Sequence, residues 1–181
     1  VLYVNVGDYK NVWDELIRDI PQMRELATEH FDNWKDTKAF ATKALSASQI
    51  NNSDVVTDNN RDDNSKNITA DNSSEDTSDN ITGIHGFYHK NIFEAVYCTN
   101  LLMRSADVLV TKPSELAFYP VPKLFIKRVG GHEQWGAVHS AEIGDGTLEC
   151  RDIPHTLQMI KLFMEDDTYI IDMCKNIKKN K

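Results

Sequence analysis

The sequence predicts an α/β fold, a parallel sheet with helices packed outside it. Short apolar runs alternate with segments whose apolar residues recur at helical spacing, which argues for parallel strands joined by helices. The runs are bounded by turn residues such as Gly7-Asp8, Gly130-Gly131 and Gly144-Asp145-Gly146. At 181 residues the length suits one ordinary domain or half of a two-domain enzyme.

Taken in order, Val1–Val6 is β-rich and ends at Gly7-Asp8, a strand and turn. Val12, Leu16, Ile17, Ile20 and Met23 predict a helix that Pro21 interrupts. Residues 25–49 mix apolar and polar side chains and are expected to be helical in parts. Ile81–Phe87 reads as a short strand, and Ile92, Phe93, Val96, Leu101 and Leu102 mark a helix ending near Arg104. Two further strands, Asp107–Thr111 and Lys123–Lys127, bracket a short helical segment opened by Ser114-Glu115. A helix is expected over His132–Ile143, and Thr147–Cys150 reads as a weak edge strand. Pro154 fits the first turn of a helix carrying Leu157, Ile160, Leu162 and Phe163. A last helix runs from about Asp166 into the basic Lys175–Lys181 tail.

One tract stands apart. In Asn51–Asn80, Asn, Asp, Ser and Thr make up 23 of 30 residues, and Val55, Val56 and Ile68 are the only aliphatics longer than Ala. Such a segment cannot bury enough apolar surface to offset its ordering entropy, so disorder is expected. Residues 1–50 and 83–181 are then the folded domain, and 51–82 an acidic insert. The tract holds eight acids against two bases, six of the chain's eight net negative charges. The rest is nearly neutral, and nothing in it predicts a nucleic-acid partner. Four Asn-x-Ser/Thr sequons, at Asn51, Asn67, Asn72 and Asn80, are what chance supplies in a tract of this composition.

Cys98, Cys150 and Cys174 fit no zinc spacing and no disulfide framework, which points to a reducing, cytoplasmic compartment. No run approaches the roughly 18 apolar residues that span a bilayer. The chain opens at Val1 inside a strand-like run, so a fragment of a longer protein is expected. His85 and His89, four apart, lack the further ligands of a metal site, and none is expected. In open parallel sheets ligands bind beyond the carboxyl ends of the strands. That places the candidate loop at Lys112–Glu115.

The stretch SADVLVTKPSELAFYPVPKLFIK, residues 105–127, resembles the donor-domain segment of the two-domain (GT-B) lipid glycosyltransferases. This family includes the bacterial enzyme that adds N-acetylglucosamine to lipid-linked muramyl-pentapeptide, and the plant monogalactosyldiacylglycerol synthases. Thr111-Lys112-Pro113 matches the family's loop after a strand, Ser114-Glu115 its helix opening, and Val121-Pro122 with Leu124-Phe125-Ile126 its approach to the next strand. Gly131-His132-Glu133-Gln134-Trp135-Gly136-Ala137, followed by Gly144-Asp145-Gly146, is similar to the family's second loop. Ile84 to Asp107 fits its Gly-Phe, helix, Ala-Asp pattern. The family's Gly-Gly pair after Pro113 is missing, Pro120 replaces a helix-ending Gly, and Gly136 stands where Asn is usual. The likeness is loose over residues 1–50 and good over 83–181; the insert has no counterpart.

The resemblance implies a Rossmann-like sheet, one half of a GT-B fold, that binds a nucleoside diphosphate sugar, expected to be a UDP-sugar. The sugar passes to an acceptor hydroxyl, of a lipid in one reading, with no further cofactor and no metal. The acceptor half with its general base is not in this chain, so no catalytic residue is expected and the isolated chain is expected to be inactive. Glu115 is implied to accept hydrogen bonds from the ribose hydroxyls, a carboxylate offering two oxygens to a vicinal diol; its plainer role is to favour a helix start. Lys112 and Ser114 are implied to meet the diphosphate, against the plainer roles of a solvated lysine and an N-cap. Gly7 is implied to let backbone approach the ligand. Gly131, His132, Glu133 and Gln134 are implied to contact the sugar and phosphates, or else merely start a helix. Phe87 is implied to lie near the base, or else to be a core aromatic. The basic tail offers a peripheral membrane contact, or a solvated helix end. The rival reading is a non-catalytic α/β module that binds a protein partner, its nucleotide site eroded.

Overall fold

Leu2–Asn5 (β1), Ala27–Phe31 (β2) and Ile84–Phe87 (β3) form a parallel sheet in the order β1-β3-β2. The structure, a computed structural model, describes residues 1–19, 27–53 and 81–180. These divide into two compact units, Val1–Ser105 and Ala106–Lys181, with their boundary inside the span expected as one domain. The fold class is the expected one, α/β with parallel strands flanked by helices, built as two small sheets.

In the first unit the helices are Lys10–Asp19 (α1), Trp34–Ser53 (α2) and Ile92–Leu102 (α3). Successive residues of the central strand β3 face opposite sides of the sheet, and His85, Gly86 and Phe87 are all buried. Phe87 stacks on Phe31 at 5.0 Å and, with Phe40 of α2 and Cys98 and Leu102 of α3, builds the core on one face. Gly86 points the other way. A Cβ there would sit 3.1 Å from the Trp13 ring and 3.2 Å from His30, so its absence lets α1 close on the sheet. Ala95, Cys98 and Leu102, the buried positions of α3, are spaced three and four apart, one face of a helix. The side chain of Asn91 caps α3 by accepting from Phe93 N at 2.9 Å.

The second unit pairs Leu109–Thr111 (β4) with Lys123–Phe125 (β5) in parallel, Thr111 opposite Phe125. Its helices are Gln134–Ile143 (α4), Ile153–Glu165 (α5) and Thr168–Lys179 (α6). Phe125 packs with Ala117 and with Ala137 of α4, while Leu124 packs with Cys150 and Phe163, so helices cover both faces of β5. The N-cap of α5 is Asp152, whose carboxylate accepts from His155 N, with Pro154 in the first turn as its fixed φ allows. Gly144, at φ +74, ends α4 in the left-handed conformation that favours glycine.

Four expected elements differ. Residues 27–31, in a stretch expected to be helical in parts, form β2; as an edge strand it keeps polar Glu29 outside, which hid its strand character. Ser114-Glu115 opens a single 3-10 turn, Glu115–Phe118, because Pro120 follows too soon for an α-helix. The helix expected from His132 begins at Gln134, after a 3-10 turn at Gly131–Glu133. The edge strand Thr147–Cys150 reduces to a bridge between Lys123 and Gly146, with Thr147 N and Cys150 N donating to β5 carbonyls. The acidic tract lies outside the described residues from 54 onward; α2 extends to Ser53. Among the described residues no helix is long and apolar enough to cross a membrane.

Candidate functional site

Parallel strands end on the same side, so the segments following β4 and β5 emerge together at one edge of the second unit. Lys112 follows β4 directly, and Pro113 beneath it is buried. Ser114 accepts Ala117 N through its carbonyl at 2.9 Å, but its hydroxyl does not cap the turn. Glu115, first residue of that turn, is exposed.

After β5 the chain runs through Arg128, Val129, Gly130 and Gly131 before α4 starts. The carboxylate of Glu133 folds back into this loop. One oxygen accepts from Lys112 Nζ; the other accepts from Val129 N at 2.8 Å and Gly130 N at 3.0 Å. Glu133 is buried, and the Lys112 hydrogen bond, then the Gly130 and Val129 amides, hold its carboxyl down at about 2. Arg128 is gripped from the other side by Glu149, through its backbone N at 2.9 Å and Nη1 at 2.6 Å. Gly131, His132 and Gln134 remain exposed. A Cβ on Gly130 would strike the His132 ring at 2.7 Å, whereas one on Gly131 would meet nothing within 4 Å. The glycine pair therefore lets His132 lie against the loop and leaves backbone open at Gly131.

Gly136 has a steric reason. A Cβ there would stand 3.1 Å from Pro113 O and 3.2 Å from Ala117 Cβ, so glycine lets α4 press against the segment after β4. A fully buried lysine opens β5. Lys123 Nζ sits 2.7 Å from Asp145 Oδ2 and donates to Val121 O at 3.0 Å. Burial pulls the Lys123 amine down, while its bond to Asp145 opposes that fall.

The structure thus brings Lys112, Ser114, Glu115, Gly131, His132, Glu133 and Gln134 into one unit, at the ends of two adjacent strands. Gly7 and Phe87 belong to the first unit and have structural employment there. Gly7, at φ +67, donates to Asn5 Oδ1 and accepts from His89 N, so both its backbone groups are engaged. Phe87 is fully buried in the core. His85 and His89 are both buried, bonded through Nε2 to Thr82 O and Thr37 Oγ1. Among the described residues no cluster of three or more potential metal ligands occurs. Sequence reasoning missed Arg128, Glu149, Lys123 and Asp145. A lysine inside the apolar run Val121–Ile126 was the one available signal, since such a charge needs a partner.

A family model described as a domain of unknown function (DUF6938) matches residues 1–69 and 47–181, two stretches that overlap over residues 47–69. No curated protein and no solved structure matches the chain.

Proposed function

The chain belongs to the DUF6938 family, and we propose that it is the donor-binding half of a GT-B glycosyltransferase, holding a UDP-sugar whose sugar passes to an acceptor hydroxyl. One observation carries this reading. The Thr-Lys-Pro-Ser-Glu and Gly-Gly-His-Glu-Gln stretches, which resemble the donor loops of that family, are joined by the Lys112–Glu133 pair at the carboxyl ends of two parallel strands. Ligands bind α/β sheets at such ends.

In this reading Glu115, exposed and uncommitted to the core, accepts the ribose hydroxyls. The Lys112 ammonium and the N–H groups heading the Gly131 turn, which have no acceptor within it, face the diphosphate. Charge grows on the diphosphate as the sugar leaves, and fixed donors aimed at that charge lower the barrier. His132 and Gln134 supply polar groups for sugar hydroxyls. The general base comes from an acceptor half outside this chain, and the donor site calls for no cofactor beyond the UDP-sugar. The protein works in the cytoplasm, and Lys175, Lys178 and Lys179 of α6 offer an anionic membrane surface a basic helix end.

The partner-binding rival draws on a specific observation as well: the Lys112 charge faces Glu133, and the loop amides of residues 128–130 face carboxylates. Calorimetry with UDP decides between the two. The expected result is binding at tens to hundreds of micromolar, about −5 to −6 kcal/mol, without sugar transfer by the chain alone. Absence of heat at millimolar UDP favours the partner-binding module.

A further inference from the structure

Three successive backbone N–H groups, those of Arg128, Val129 and Gly130, all donate to carboxylates of this same chain. Successive amides in a loop ordinarily make an anion-binding concavity. Here Glu149 fills the first position, and Glu133 fills the second and third. Each carboxylate also holds a cation, Arg128 for Glu149 and Lys112 for Glu133, so each ties the loop to a second element. Glu149 lies beyond Gly146 on the far edge of β5, while Lys112 follows β4 on the near edge. The loop is therefore clamped from both flanks of β5.

We infer that Glu133 and Glu149 are positioning residues, which fix the Arg128–Gly130 loop before any ligand arrives and leave none of its three amides to a ligand. Glu133 does not touch the sugar, although the family resemblance implies that it does. Its two oxygens are both taken, and displacing a buried carboxylate from three donors is costly. The Lys112 ammonium and this loop are thereby held in place together, the kind of support a binding group needs to be held within a fraction of an ångström. The ligand half of this inference rests on the nucleotide-sugar reading; the preset loop does not.

The test uses the full chain and the variants Glu133→Gln and Glu149→Gln. Amide hydrogen exchange in the ligand-free protein should accelerate at least tenfold at Val129 and Gly130 in the first, and at Arg128 in the second, with β5 amides unchanged. UDP should leave the amide resonances of Arg128–Gly130 in place in the native chain. Its affinity should fall at least tenfold in Glu133→Gln. Unchanged exchange in both variants overturns the preset loop. Faster exchange with undiminished UDP affinity overturns the positioning role, as do UDP-induced shifts at Val129 and Gly130. If the native chain takes up no UDP, the nucleotide reading falls, and the exchange rates alone decide whether the carboxylates set the loop.

Discussion

An exposed carboxylate at a turn, as Glu115 is, must exchange water for two hydroxyl donors if it meets a ribose. Charge-assisted hydrogen bonds contribute about 1.5–3 kcal/mol each. Glu115→Ala is therefore expected to weaken UDP by roughly tenfold to a hundredfold, and Glu115→Gln by less. A cycle with 2′-deoxy-UDP isolates the contact. The native chain should discriminate against the deoxy ligand, and Glu115→Ala should lose most of that discrimination; equal losses for both ligands mean that Glu115 only starts a turn. A different residue contributes to acid behaviour. His89 is buried, and burial lowers its affinity for a proton below the ordinary value of 6.5. The unfolded chain protonates this residue near 6.5 while the folded chain resists, so the contribution of His89 to folding stability is complete above that pH and declines as pH falls below it. Thermal melts between pH 7.5 and 5 should show a falling midpoint, and His89→Gln should flatten the slope.

Elements divide into those with sufficient local signals and those decided by tertiary packing. The helix α5 was legible because Pro154 and its apolar spacing agree, and β1 because its residues are β-branched and aromatic as well as apolar. The strand β2 was not, since an edge strand with a polar face carries neither a period nor a run. For the site, the stretches Lys112–Glu115 and Gly131–Gln134 were legible as motifs, but the Lys112–Glu133 pair links residues 21 apart that no local pattern joins. The same limit hid Arg128 and Glu149. Gly136 read as a lost Asn, whereas its surroundings require glycine. Gly136→Ala gains about 1 kcal/mol of helix propensity but overpacks against a backbone carbonyl and a buried methyl, a cost of about 1–3 kcal/mol. A net loss is expected, larger for Gly136→Asn, and urea unfolding measures it; a stabilised Ala variant counts against the close approach of α4.

At the scale of the whole molecule, two compact units each carry their own sheet and core. Each core encloses one cysteine: Cys98 is fully buried in the first, its thiol pushed up to about 12 by desolvation, and Cys150 is buried in the second with its thiol also raised. Cys174 on α6 is partly exposed. The chain therefore contains an internal clock for each unit. A chromogenic disulfide reagent should react with Cys174 first and reach the other two only when the surrounding core opens, because the thiolate is the reacting species and neither buried thiol forms it readily. Labelling followed by peptide mass analysis under rising denaturant should yield separate modification rates at Cys98 and Cys150. Divergent rates identify two folding units on one chain, and identical rates at every denaturant concentration identify a single cooperative one.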